Sequence, residues 1–292
     1  MKILSFDIEE WFIEKRFKND ESWKYVEFDY MLNRILELLD EHSTKATFFC
    51  LGELAREFPD VVRKIAEKGH EIGCHSNSHR WINKMSPEEF RKDTVIAIES
   101  LEQLIGEKIR SYRAPAFSIG ESNKWAFEIL AEAGIENDAS IFPGTRDFGG
   151  FPAFEGGGHP CTIEYNGIHI NEFPISLTKL PFIGKSMAYS GGGYFRLLPL
   201  NFVKTRMKYA DYVMCYFHIA DLLDFKSKFM TKKEFERYFK TSGNLKNRTM
   251  RYVKSNIGRK RAFKGLTDLV KDFKFCTVEQ ATGSNTLPLI KI

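Results

Sequence analysis

The stretch Glu71–His79, which reads EIGCHSNSH, joins a short apolar run to two histidines four positions apart. Neutral imidazole is the commonest protein ligand for zinc and related metals, and His75 and His79 can face one ion at this spacing. Two histidines do not complete a site, because catalytic zinc takes a third protein ligand and keeps an open position. A bare pair of this kind is as often two surface or core histidines, so the rest of the chain must decide.

Predicted strands and helices alternate on both sides of this stretch. The strands are predicted at residues 2–6, 45–52, 70–74, 111–115 and 135–140. The helices are predicted at residues 29–41, 59–68, 86–105 and 121–133. Ser86 and Glu89 have the spacing of a capping box, which supports the start of the third helix. This alternation is typical of βαβ units around a parallel sheet or barrel, whose functional residues gather at the carboxyl ends of the strands.

The second half of the chain changes character. Residues 143–195 contain several glycine clusters, and we expect loops and β-hairpins there, over the mouth of the barrel. A helix at 199–210 and a strongly apolar strand at 212–217 then lead to His218. A last helix at 259–271 and a final strand at 275–278 complete the predicted fold.

Composition indicates an ordinary globular protein. The chain has 292 residues, of which 43% are hydrophobic and 28% charged, so one large α/β domain with an appendage is expected. The N-terminus lacks the apolar core of a signal peptide, and no apolar run is long enough for a spanning helix. The five cysteines are widely spread without a CxxC pair, as expected of reduced thiols. These features predict a cytoplasmic protein.

Charge is unevenly distributed along the chain. The net charge is +4, but residues 226–264 hold fourteen Lys or Arg against two Glu. A basic segment on an acidic body suggests an anionic partner, such as a nucleotide-sugar, a lipid phosphate or a membrane surface. A solvated helical face would explain the same composition.

Acidic residues follow the first predicted strand. Asp7 and Glu9 are two apart, so at a strand end both side chains point to the same side, and Glu10 follows directly. Two carboxylates on one face can divide the work, with one binding a metal and the other acting as a base. Taken alone, such a cluster is more often a solvated strand terminus.

Three further polar residues also fall at predicted strand ends. Arg113 stands two positions before Pro115, and its guanidinium can hold a carboxylate through two hydrogen bonds, although a structural ion pair is the plainer interpretation. His218 ends a very apolar strand, where it is either a satisfied core residue or a general acid oriented by a carboxylate. Asp138 completes this set of residues at strand ends.

Taken together, these motifs resemble the polysaccharide deacetylases of carbohydrate esterase family four, the NodB homology domain. The likeness covers about residues 1–225, and its motifs are SFDIE at 5–9, ATFF at 46–49, HSNSH at 75–79, YRAP at 112–115 and FH at 217–218. FDIEEWF at 6–12 and GGGYFRLLP at 191–199 also resemble the subfamily found with exopolysaccharide and exosortase systems. The resemblance implies a distorted (β/α)7-type barrel over residues 1–225. It also implies a basic C-terminal helical extension over residues 226–292, packed on the barrel.

The resemblance also implies a role for each candidate residue. His75, His79 and Glu9 would bind a divalent metal, most often zinc, although cobalt, nickel and iron(II) accept the same ligands. Asp7 would be the general base, held by Arg113. His218 would be the general acid with Asp138 as its orienting partner, and the backbone N–H of Ala116 would belong to the oxyanion hole. The family pattern has two adjacent aspartates where this chain reads DIEE, so Glu10 is an alternative to Glu9 as the acidic metal ligand.

The function expected from this likeness is removal of N-acetyl groups from an amino sugar or polysaccharide intermediate during surface-glycan assembly. One alternative is hydrolysis of another C–N bond, such as a formyl amide or a cyclic ureide. A second alternative is a catalytically silent glycan-binding protein. The expected partners are the sugar substrate and, through residues 226–264, an anionic lipid carrier or the inner face of the membrane. Nucleic acid is not an expected partner.

Overall fold

The first strand of the chain lies within the main sheet and carries the acidic cluster at its end. The computed structural model describes residues 1–146, 149–179, 186–224, 227–239, 241–283 and 286–292. The domain boundary expected at residues 225 and 226 lies outside these ranges. The strands are β1 Lys2–Ile8, β2 Thr47–Cys50, β3 Glu71–Cys74, β4 Ser111–Tyr112, β5 Asn137–Asp138, β6 Cys161–Tyr165, β7 Ile168–Glu172, β8 Leu177–Lys179, β9 Ser186–Ala188, β10 Val213–His218 and β11 Leu289–Lys291.

The helices fill the connections between these strands. They are α1 Glu10–Phe17, α2 Ser22–Glu41, α3 Gly52–Glu57, α4 Pro59–Glu67, α5 Pro87–Ile105, α6 Trp125–Glu132, α7 Gly192–Leu197, α8 Leu200–Tyr209, α9 Ile219–Leu222, α10 Lys232–Phe239, α11 Leu245–Asn256, α12 Arg259–Asp272 and α13 Val278–Thr282. In the part of the chain that the structure describes, none of these helices has the length and apolar character needed to cross a bilayer.

Seven strands pair in parallel, in the order β10-β1-β2-β3-β4-β5-β7. Hydrogen bonds link the two ends of this series. Tyr212 Oη donates to the Pro174 carbonyl at 2.8 Å, and the Met214 amide donates to Ser176 Oγ at 2.9 Å. The sheet therefore curls into a barrel with a side-chain seam, which confirms the predicted α/β barrel. Beyond β7, antiparallel β6 and then β11 extend the sheet.

The two faces of β1 explain where the core lies. Leu4 and Phe6 are fully buried against the surrounding helices, and the Phe6 ring stacks on Phe48 at 4.8 Å. Ile3 points to the other face and joins a second apolar cluster. Because side chains alternate along a strand, Asp7 lies on the same face as Ile3, at the carboxyl end of β1.

Local sequence signals mark several element ends correctly. The capping box of α5 is present, with Ser86 Oγ accepting from the Glu89 amide and Glu89 from the Ser86 amide. The antiparallel pair β6–β7 confirms a hairpin in the glycine-rich region. The same region also contains α7, which begins at Gly192 where we expected loops or hairpins.

The final strand expected at residues 275–278 was wrong. Cys276 makes only a single bridge to Ile3, and α13 begins two residues later. The physical reason is a capping box, in which Thr277 Oγ1 accepts from the Gln280 amide and Gln280 accepts from the Thr277 amide. The last strand of the chain is β11, which pairs with β6.

The C-terminal region contacts the barrel through α12 and β11. Helix α12 contacts α2, α7 and α9. Its first residue, Arg259, is buried, and Nη1 donates to the carbonyls of Ala220 and Leu223 at 2.8 and 3.2 Å. Helix α11 differs, because none of its residues is buried.

Candidate active site

The structure brings Glu9, His75 and His79 together at the carboxyl end of the barrel. Glu9 Oε2 lies 2.5 Å from His79 Nε2 and 3.5 Å from His75 Nε2. One ligand atom from each of the three residues lies within 4.8 Å of the others. Three donor atoms at these separations can share one ion, and two imidazoles with one carboxylate are a common ligand set for a catalytic metal.

The turn after β3 presents the two histidines. Ser76 and His79 have left-handed backbone angles, with φ of 71° and 57°. The His79 amide donates to Ser76 Oγ at 3.0 Å, and the Asn77 amide donates to Asp93 Oδ2 at 2.8 Å. These local hydrogen bonds compensate the strain of the turn, so the spacing seen in the sequence becomes a fixed geometry.

The donor set fits a cation on two further observations. Among the residues that the structure describes, the buried Glu9 Oε2 has no partner in hydrogen-bonding geometry. His75 Nδ1 lies 2.7 Å from the Arg113 carbonyl oxygen, so Nδ1 donates and Nε2 is the ring nitrogen that faces Glu9. Burial opposes ionisation of Glu9, but His79 and His218 lower its pKa well below the usual range. A cation between these atoms would satisfy Glu9 Oε2, which contacts both imidazoles without a well-directed hydrogen bond.

Asp7 and Arg113 form a buried ion pair beside this cluster. Arg113 is fully buried, and Nη1 donates to Asp7 Oδ1 at 2.8 Å and to Ser5 Oγ at 2.9 Å. The guanidinium also lies 4.2 Å from the ring centroid of Phe49. Burial acts to raise the pKa of Asp7, but Arg113, His75 and His218 outweigh it and lower the pKa. Asp7 is therefore held as a carboxylate with one oxygen engaged by Arg113.

His218 lies opposite the two carboxylates at the end of β10. Its Nε2 is 3.9 Å from Asp7 Oδ2 and 3.7 Å from Glu9 Oε1. Its Nδ1 bonds Asp221 Oδ2 at 3.1 Å. Burial lowers the pKa of His218, but Asp221, Glu9 and Asp7 outweigh it and raise the pKa to about 10. These carboxylates favour the protonated imidazole.

The expectation that Asp138 orients His218 was wrong. Asp138 is fully buried, and its Oδ1 accepts from Ser140 Oγ at 2.5 Å. Ser140 Oγ in turn accepts from the Ala114 amide at 2.8 Å, so Asp138 supports the loop that follows Arg113. The carboxylate on His218 is Asp221, three residues later, and Arg196 Nη2 lies 3.2 Å from Asp221 Oδ1. Our sequence analysis missed both Asp221 and Arg196.

Glu10 and Ala116 also have defined positions. Glu10 begins α1, and its buried Oε1 accepts from the Ala220 amide at 2.7 Å. Glu9 is thus the acidic residue that faces the histidines, and Glu10 holds the chain after His218. Burial raises the pKa of Glu10 to about 7. Ala116 lines the cleft and has a left-handed φ of 56° within the turn after Pro115.

These residues open into a cleft of about 900 Å³. Its floor contains Asp7, Glu9 and the three histidines, and its walls include residues from α10 and α11. A volume of this order is typical of small-molecule sites. The arrangement places a carboxylate, an imidazole and a donor set that fits a cation around one opening, and hydrolysis of a polarised carbonyl uses groups of these kinds.

Two family profiles match this chain. Residues 19–137 match the profile described as Polysaccharide deacetylase, and residues 139–283 match the Domain of unknown function DUF3473. A peptidoglycan-N-acetylglucosamine deacetylase of Bacillus cereus is 42% identical over 96 residues, which are 32% of this chain and 35% of the relative. A chitooligosaccharide deacetylase of Azorhizobium caulinodans is 33% identical over 121 residues, 39% of this chain and 55% of the relative. The chain thus spans about a third to half of the length of these relatives.

A solved structure is similar over the whole chain. It is the crystal structure of a candidate polysaccharide deacetylase from Mycobacterium smegmatis. The match covers 100% of this chain and 93% of the Mycobacterium chain, with a TM-score of 0.61 at 17% sequence identity. At this identity the likeness concerns the fold, and it agrees with the barrel described above.

Proposed function

We propose that this chain, whose residues 19–137 match the polysaccharide deacetylase profile, is a metal-dependent hydrolase that removes N-acetyl groups from an amino sugar or polysaccharide. The observation that carries the proposal is the meeting of Glu9, His75 and His79 within 4.8 Å, beside a base and an acid. Each role in the hydrolysis of an amide has a candidate side chain at one opening of the barrel.

In this proposal Asp7 is the general base. Arg113 engages Oδ1 and leaves Oδ2 on the side of His218, so the carboxylate cannot rotate away from the reacting water. Glu9, His75 and His79 would hold the cation, which when bound would polarise the amide carbonyl and lower the pKa of water. We assign the backbone N–H of Ala116 to the oxyanion hole, because this left-handed turn borders the same cleft.

His218 is the general acid in this proposal. Asp221 on Nδ1 fixes the ring and leaves the Nε2 proton directed toward the cleft, where the leaving amine must be protonated. Asp7 takes one proton of the water, and the remaining hydroxyl forms the new bond to the acyl carbon. The C–N bond then breaks, and the amine leaves with the proton from His218.

We further propose that the substrate belongs to surface-glycan assembly and that residues 226–264 contact an anionic lipid carrier or membrane surface. The support is the sequence likeness in FDIEEWF and GGGYFRLLP and the charge of that segment. Zinc is our choice of metal on the ligand set alone.

Single and double alanine variants of His75 and His79 test the proposal. We expect each to lose bound metal by elemental analysis and to lose acetate release from N-acetyl-glucosamine oligomers. The exposed His169 provides the control, since His169→Ala should keep both. A folded double variant with full activity would refute the metal role. Formate release or ring opening, assayed in parallel, would instead favour a formyl amide or a cyclic ureide.

A further inference from the structure

The walls of the cleft carry more positive charge than the protein itself compensates. Seven lining residues are Lys or Arg, and two of these have carboxylate partners: Arg80 pairs with Glu89 and Arg196 with Asp221. The other five form no ion pair among the residues that the structure describes. They are Lys84, Arg146, Arg237, Arg251 and Lys254.

The acidic residues at the floor cannot supply the missing counter-charge. Asp7 is engaged by Arg113, and Asp221 by His218 and Arg196. Glu9 faces the two histidines that complete the proposed metal set. The five cations therefore face an opening whose negative groups are already occupied.

Two of these arginines are held in place by aromatic rings. The guanidinium of Arg146 lies 5.0 Å from the ring centroid of Phe117 and 4.9 Å from that of Phe142. Its Nη1 is buried and has no hydrogen-bonding partner in the described ranges. Arg251 lies 4.8 Å from the ring centroid of Phe239. Stacking limits the motion of a guanidinium while leaving its N–H edge able to bind an oxyanion through two hydrogen bonds.

We propose that this cleft binds an amino sugar carried on a diphosphate, with Arg251 and Lys254 as the principal phosphate contacts and Arg146 as a third. The inference rests on the proposed deacetylase function and names the substrate class of that site. A neutral glycan would leave five cations uncompensated, whereas a diphosphate brings at least two negative charges and several acceptor oxygens. The reaction is still amide hydrolysis, and the diphosphate is not broken.

The same chemistry is found in two kinds of carrier. A nucleotide diphosphate and a polyprenyl diphosphate present the same two phosphoryl groups next to the sugar. Both carriers are therefore arms of the test, and a preference for either one supports the proposal.

The first experiment measures binding without turnover. Inorganic pyrophosphate is titrated into the metal-loaded protein by calorimetry at low and high salt. R251Q/K254Q should raise the dissociation constant about tenfold or more, since a charge-assisted hydrogen bond contributes at least that factor. K246Q/R248Q is the matched control, because it also removes one Lys and one Arg charge from α11, at positions outside the cleft. We expect less than a twofold change for the control.

Equal effects in the two double variants would overturn the inference, because they would show a general field rather than a site. Absence of pyrophosphate binding at low salt would overturn it as well. R146Q provides a separate check from another part of the chain, and it too should weaken pyrophosphate binding about tenfold.

The second experiment compares acetate release from four N-acetylated substrates. They are a nucleotide-diphosphate sugar, a polyprenyl-diphosphate sugar in detergent, a neutral chitooligosaccharide and an acidic oligosaccharide containing uronate. Higher kcat/KM for either diphosphate substrate, lowered by R251Q/K254Q through KM, supports the inference. Equal values for the neutral substrate, or a preference for the uronate, would overturn it and leave the deacetylase proposal standing. Pyrophosphate binding without acetate release from any substrate would instead refute the deacetylase proposal.

Discussion

Replacing Asp221 with asparagine tests how His218, the proposed general acid, is oriented. Asp221 Oδ2 bonds His218 Nδ1 at 3.1 Å and lies 3.3 Å from the His218 amide nitrogen. Asparagine keeps the shape and one acceptor oxygen but removes the charge. Arg196 keeps its hydrogen bond to the Ser255 carbonyl at 2.9 Å, so the surrounding loop retains a support.

The size of the effect follows from the lost charge. A hydrogen bond to a charged group contributes about 1.5–3 kcal/mol, which is about one to two pKa units for His218. In the native protein Asp221 acts with Glu9 and Asp7 to raise the pKa of His218 to about 10 against the effect of burial. An acid works only below its pKa, and activity is lost as pH rises through it. Asp221→Asn should therefore move the alkaline limb of kcat down by about one to two pH units.

The assay measures acetate release by the metal-loaded protein from about pH 6 to 11, a range that includes the expected shift of the alkaline limb of kcat. Asp224→Asn is the control, since Asp224 is exposed nearby and outside the cleft. In a His218→Ala background, Asp221→Asn should add little, because one residue acts through the other. An unchanged pH profile in Asp221→Asn would refute the reasoning, and so would equal losses with and without His218.

Two other predictions concern stability. Gly191→Ala places a Cβ 1.9 Å from the Tyr216 carbonyl oxygen and should lower the free energy of unfolding by about 3 kcal/mol or more. In Gly106→Ala the new Cβ meets no atom within 4 Å, so only the left-handed φ of 76° opposes it, and the loss should be about 1–2 kcal/mol. Urea denaturation measures both losses, and equal losses would contradict the steric argument. Burial lowers the pKa of His70 to about 4, so the unfolded chain binds its proton first as pH falls from about 6.5, and the free energy of unfolding should drop between pH 6.5 and 4. His70→Phe should remove that part of the pH dependence, His169→Gln should not, and an unchanged slope in His70→Phe would count against a neutral buried imidazole.

The barrel was predictable because its signals are local and repeated. Helix α5 begins at Pro87, directly after its N-cap Ser86, and is followed by Gly106, as the capping box and the glycine indicated. The incorrect prediction of a strand at residues 275–278 also arose from local sequence signals. Apolar residues there suggested a strand, but the hydrogen bonds between Thr277 and Gln280 favour a helix start, and that pair was readable in the sequence.

The candidate site was predictable only where strand ends carry the chemistry. Asp7, His75 and Arg113 each lie at or just after the end of a strand, so the parallel topology alone brings them to one edge. The carboxylate on His218 is a different kind of contact, because it depends on how the chain turns after β10. Asp221 lies three residues beyond His218, which is the spacing of an N-cap contact, and this short-range signal was overlooked in favour of Asp138.

The division of the chain into two family segments does not match the division of the site. Asp7 and Glu9 precede residue 19, the proposed metal ligands His75 and His79 lie in the first segment, and His218 and Asp221 lie in the DUF3473 segment. Strand β10 pairs with β1 so that Asp7 and His218 are direct partners in the parallel register. A fragment that ends at residue 137 would lack β7 and β10 and would leave an edge of β1 unpaired. The DUF3473 segment is thus part of the same barrel, and in the proposed mechanism it supplies the acid.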